Sequence, residues 1–87
     1  MPDRTVTIAA PSGLHARPSA LFVKAVAASG VTVHINKVGG QPLDASSMLD
    51  VLTLNAAQGD QVQLSAEGEG ADHVLDALVG LLARGDA

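Results

Sequence analysis

The chain has 87 residues, no cysteine and a net charge of −4, from five Lys+Arg against nine Asp+Glu. A chain this short makes one domain over 1–87, and without cysteine it has neither a disulfide framework nor a thiolate metal site, a composition that fits a reducing compartment. Phe22 is the only aromatic residue, so a basic stripe with stacking aromatics is missing and nucleic-acid binding is not expected. Hydrophobic residues make up 47% of the chain, yet no apolar run reaches the roughly 18 residues of a membrane span. The start, Met1-Pro2-Asp3-Arg4-Thr5, lacks the basic region and apolar core of a signal peptide. The expectation is a cytoplasmic protein without membrane insertion, its core built from Val, Leu, Ile and Ala.

Taken in chain order, residues 5–8 alternate, with Val6 and Ile8 on one face. A helix is predicted over 16–28, with Pro18 in its first turn, where proline is tolerated, and Gly30 as its left-handed cap. Residues 31–36 alternate with Val31, Val33 and Ile35 inward and Thr32, His34 and Asn36 outward. Gly39-Gly40 reads as a hairpin turn leading into a short strand over 41–44. A short helix follows over about 47–56, capped by Ser46 or Ser47, and Gln58-Gly59-Asp60 is the turn after it. Residues 61–67 alternate with Val62, Leu64 and Ala66 inward, and a helix over 71–83 aligns Val74, Leu75, Leu78, Leu81 and Leu82 in one stripe. One polar face on each strand implies an antiparallel sheet covered on one side. The order β-α-β-β-α-β-α therefore predicts a two-layer α+β domain.

Three histidines are candidates for chemistry. His34 lies on the polar face of a strand and His73 lies off the apolar stripe of the last helix, so both read as solvated surface residues. No two histidines have the spacing of a helical metal pair and no carboxylate cluster completes one, so neither a metal nor a cofactor is expected. His15 differs because of its neighbours, Gly13-Leu14-His15-Ala16-Arg17-Pro18-Ser19-Ala20. Gly13 lets the backbone bend sharply, and Leu14 can anchor the loop. The N–H groups of Ala16 and Arg17 are free at the helix start, where the helix dipole is positive and anions bind. Arg17 adds a permanent cation for phosphate oxygens. The same positive end disfavours imidazolium and keeps the His15 ring neutral and nucleophilic. Spacing alone leaves two roles open for His15, phosphoryl acceptor or simple helix cap.

The octapeptide resembles the active-site signature of the HPr family, the histidine-containing phosphocarriers of the bacterial phosphoenolpyruvate-dependent sugar phosphotransferase system. Chain length, element order and the segment Ser47-Met48-Leu49-Asp50-Val51-Leu52-Thr53-Leu54 extend the resemblance over nearly the whole chain. It implies an open-faced β-sandwich, a four-stranded antiparallel sheet with three helices on one face. It implies a carrier rather than an enzyme: enzyme I, charged by phosphoenolpyruvate, passes a phosphoryl group to Nδ1 of His15. Sugar-specific enzyme IIA proteins then take the group away, while Arg17 and the N–H groups of Ala16 and Arg17 steady it. A monomer is expected. The alternatives are a paralogous carrier of a regulatory or nitrogen-linked branch, and a binding protein controlled by serine phosphorylation.

Two further features bear on partners. Leu21, Met48, Leu49 and Leu52 are too numerous for two helices burying a single face. The resemblance makes Ala20, Leu21, Met48 and Leu49 a docking patch for enzyme I and IIA, with Leu52 left open; Met and Leu suit a surface that fits several partners. Ser47 aligns with the serine that a dedicated kinase, HPr kinase/phosphorylase, modifies in many Gram-positive relatives. Its ordinary role is helix capping, worth about 0.5–2 kcal/mol. Asp50 stands where regulated relatives commonly have glycine, and Ser46 where a basic residue is common. Asp44 and Asp50 would crowd a phosphate on Ser47.

Overall fold

The computed structural model describes residues 2–9, 13 and 16–84, those at 16–18 and 84 by backbone alone. Its elements are β1 (Asp3–Thr7), α1 (Ala16–Ser29), β2 (Thr32–Lys37), β3 (Leu43–Asp44), α2 (Met48–Leu54), β4 (Gln61–Glu67) and α3 (Ala71–Arg84). The strands form one antiparallel sheet in the order β1-β4-β2-β3. Register follows the alternation, because a slip of one residue would turn every apolar side chain to water. Val6 pairs with Val62, Ile35 with Leu64 and Val33 with Ala66, and all six are buried on the inner face. The outer face carries Thr5, Gln63, Ser65 and His34 and is open.

The helices cover the inner face. α1 contributes Phe22 and Val26, α2 contributes Val51 and Leu54, and α3 contributes Ala71, Leu75, Leu78 and Leu82. Phe22 is fully buried and supplies the one large ring in a core otherwise made of aliphatic side chains. α1 ends one residue later than its predicted limit. The Ser29 hydroxyl donates to the Val26 carbonyl at 2.6 Å and accepts the Val31 N–H at 3.1 Å, and Gly30 follows at φ +71°. These bonds occupy groups that the helix end would leave unpaired.

Several expectations are corrected in detail. β2 starts at Thr32 and runs to Lys37, and β1 starts at Asp3, two residues ahead of the readable alternation. Asn36 lies on the outer face as expected, opposite Gln63, yet is buried there. β2 is an interior strand, so neighbours crowd it from both sides, and the Asn36 amide satisfies itself by donating to the Lys37 carbonyl at 2.8 Å. α2 is shorter than predicted. Asn55 takes the left-handed conformation at φ 54° and returns its N–H to the Leu52 carbonyl, which ends the helix.

An ion-pair clamp joins the two ends of the chain. Arg4 on β1 reaches α3, where Nη2 donates to Asp72 at 3.1 Å and Nε donates to Asp76 at 3.1 Å. The hydrogen bonds it donates to Asp72 and Asp76 hold the guanidinium pKa above its ordinary value. Asp72 and Asp76 stand four residues apart on one face of α3, so a single guanidinium meets both.

Candidate functional site

The helix that follows the signature histidine begins at Ala16, so a helix N-terminus lies immediately after position 15. Leu14 and His15 lie outside the described residues, as does the side chain of Arg17. The described residues do show how the chain leading into this segment is held. Gly13 is buried at φ +70°. A Cβ there would collide with the Ala56 carbonyl oxygen and lie 2.8 Å from the Ala57 Cα. Only glycine suits both the dihedral and the contact. Further ahead in the chain, the Gln58 amide donates to the Ala9 carbonyl at 3.2 Å, and Ile8 exchanges bonds with Gly59 and Asp60 at 2.9 Å each. The loop leaving α2 therefore grips the chain at Ala9 and again at Gly13.

That loop is itself braced. The Asp60 carboxylate accepts the Ala57 N–H at 2.9 Å and meets the Lys37 ammonium at 3.5 Å. The bond from Ala57, with a smaller contribution from Lys37, holds the Asp60 pKa below the usual carboxylate value. Neither Ala56, Ala57 nor Gln58 carries a signal in the sequence that could have placed it here. The contacts join residues more than 40 positions apart, by backbone at Ala56 and Ala57 and by the side-chain amide at Gln58.

Next to the α1 N-terminus, Ala20 is exposed, Leu21 is 43% exposed, and Ser19 is fully buried. On α2, Leu49 is 75% exposed and Leu52 39%. Met48 is half-buried rather than open. α1 and α2 pack against each other, and between them they leave Leu21, Leu49 and Leu52 exposed to water. A cluster of apolar side chains in water carries an unmet burial energy, and such patches mark binding surfaces.

The two serines before α2 do different work. Ser47 is the N-cap, its hydroxyl accepting the Asp50 N–H at 3.3 Å. The Ser46 hydroxyl donates to Asp44 at 2.6 Å and its N–H donates to the same oxygen at 2.9 Å. These two bonds, hydroxyl first, lower the Asp44 pKa, with a minor contribution from His34 across the β2–β3 pair. His34 is half-buried and His73 is exposed. Among the described residues no three His, Asp or Glu side chains gather as a metal site. No described helix is long and apolar enough to cross a membrane.

Known proteins share this arrangement. Residues 2–84 match the family model described as the PTS HPr component phosphorylation site. The phosphocarrier protein HPr of Streptomyces coelicolor is 45% identical over 85 residues, which cover 98% of this chain and 91% of the relative. The phosphocarrier protein HPr of Haloferax volcanii is 37% identical over 86 residues, covering 98% and 97%. Among solved structures, HPr-C-His from Thermoanaerobacter tengcongensis superposes with a TM-score of 0.87 at 35% identity, covering 94% of this chain and 91% of that one. The phosphocarrier protein HPr from Bacillus anthracis gives 0.88 at 28%, covering 93% and 95%. Fold and signature together define a small α+β phosphocarrier domain. The chain belongs to the HPr family of the phosphotransferase system.

Proposed function

We propose that this chain carries phosphoryl groups through His15, receiving them from phosphorylated enzyme I and delivering them to sugar-specific enzyme IIA proteins in the cytoplasm. The observation that carries this reading is the start of α1 at Ala16, directly after the signature histidine, within a family match that spans it. The Nδ1 lone pair of neutral His15 forms the N–P bond while the donor's bond to phosphorus breaks, its electron pair staying with the donor. Unpaired N–H groups in the first turn of α1 and the Arg17 cation neutralise charge on the phosphoryl oxygens. The helix end is worth only about 0.3–1 kcal/mol to an exposed anion, which suits cargo that must leave again.

Ala20, Leu21, Met48 and Leu49 serve partner docking in this reading, and the exposure of Leu52 supports adding it. Ser47 is the candidate for regulatory phosphorylation by a serine kinase. It lies at the rim of the patch, and a phosphate there would replace its capping bond to the Asp50 N–H. Incubation with phosphoenolpyruvate and enzyme I tests the carrier role. The expected product is an acid-labile, base-stable phosphate that His15→Ala abolishes. A wild-type chain that takes up no label, or a label that survives His15→Ala, overturns it.

A further inference from the structure

Two polar residues are buried among the described residues, Ser19 and Asn36. The Asn36 amide has its bond to the Lys37 carbonyl at 2.8 Å. The Ser19 hydroxyl has none, and among the described residues it is the one buried side-chain oxygen or nitrogen without a hydrogen-bond partner. Leaving a hydroxyl buried and unpaired is unfavourable, and native structures rarely do so. Its place is specific. Ser19 closes the first turn of α1, four residues after His15, and shares an inward stripe with Phe22 and Val26, both apolar and buried. Those side chains offer a hydroxyl nothing to bond, and packing alone would be served by alanine, the better helix former. A helical Cα–Cβ bond leans toward the helix N-terminus. The Ser19 hydroxyl is therefore aimed back into the turn where the α1 N–H groups are free.

We infer that Ser19 is a positioning residue for the phosphoryl group, its hydroxyl donating to the His15 carbonyl when His15 is phosphorylated. The inference rests on the phosphocarrier reading, in which the Ala16 N–H holds a phosphoryl oxygen. That N–H and the His15 carbonyl belong to one peptide group, and a planar trans peptide points the two in opposite directions. With the N–H turned out to the phosphoryl oxygen, the carbonyl points back along α1. A serine hydroxyl in a helix reaches the carbonyl four positions behind it, and for Ser19 that carbonyl belongs to His15. The bonds then run in series, from the Ser19 hydroxyl to the carbonyl and from the Ala16 N–H to the phosphoryl oxygen. Each polarises the other, so the peptide becomes a better donor to the anion. Ser19 is fully enclosed and acts through this peptide without touching the phosphoryl group.

The test is the equilibrium of phosphoryl transfer between enzyme I and the full chain, for wild type and Ser19→Ala, with Tm measured on the phosphorylated and unphosphorylated forms of each. One hydrogen bond present only in the phosphorylated form is worth about fivefold in that equilibrium. Ser19→Ala is therefore expected to shift it about fivefold toward phosphorylated enzyme I. The same variant should raise the Tm of the unphosphorylated form, because the unpaired hydroxyl is gone, and lower that of the phosphorylated form, because a bond is lost. A purely structural role moves both forms alike and leaves the equilibrium where it was. With transfer by the wild type intact, an equilibrium that is unmoved, or shifted toward the phosphorylated chain, overturns the inference alone. A wild-type chain that takes no phosphoryl group from enzyme I removes the carrier reading and this inference with it.

Discussion

Helices α2 and α3 cover the same sheet face and are held there in opposite ways. α3 has fourteen residues, buries Ala71, Leu75, Leu78 and Leu82, and is tied to β1 by the Arg4 ion pairs. α2 has seven, buries only Val51 and Leu54, and turns Leu49 and Leu52 outward. A helix of two turns is not stable in isolation. α2 relies on Ser47 at its start and left-handed Asn55 at its end. The contrast separates two duties. α3 turns its apolar stripe to the core, whereas α2 is held by its caps and leaves apolar area in water.

Substitutions should sort along that division. Leu75→Ala removes a fully buried side chain from α3 and should cost about 2–5 kcal/mol in denaturant unfolding. A loss below 1 kcal/mol would mean that α3 is not the stabilising partner. Ser47→Ala should lower stability by about 1 kcal/mol through loss of the cap, read as a reduced Tm. If α2 instead depends on packing alone, the Tm will not move. Gly80 lies inside α3 with nothing within 4 Å of an added Cβ, so Gly80→Ala should raise stability by about 0.5–1 kcal/mol. Smallest in stability is Leu49→Ala, expected within about 0.5 kcal/mol of wild type because the side chain is mostly in water. The same variant should raise the KM for phosphoryl transfer, and a stability loss matching that of Leu75→Ala would erase the distinction between the two helices.

Acid adds a smaller test of the α2 exit loop. Asp60 accepts the Ala57 N–H and its pKa is lowered in the folded protein. Its contribution is therefore present above the unfolded carboxylate value, near 4, and is lost as pH falls through the lower folded value. Asp60→Asn should flatten the acid limb of a stability–pH profile.

Much of the fold is readable from period and punctuation. β4 matches its alternation at both ends, and α1 and α3 start where their first residues place them. Misses arise where a distant neighbour decides. The burial of Asn36 depends on β2 being interior, a fact of strand order rather than of its own segment. The end of α2 depends on Asn55 entering a conformation that glycine usually fills. At the candidate site, spacing singles out His15 and Arg17, and the need for glycine at position 13 is visible too. The surface that requires it, Ala56 and Ala57, is not, because two alanines in a loop carry no mark of what they touch.

The Arg4 clamp and the pairing of β1 with β4 also constrain how the chain acquires its shape. Arg4 meets partners 68 and 72 positions away, and among the described residues β1 has no sheet neighbour except β4. Loop closure over such separations is entropically unfavourable until other contacts support it. The first strand is made early in synthesis but cannot dock until almost the whole chain exists. The N-terminal strand should therefore be among the last elements to lock. During synthesis, its own unpaired backbone is open to wrong pairings that the completed clamp then excludes.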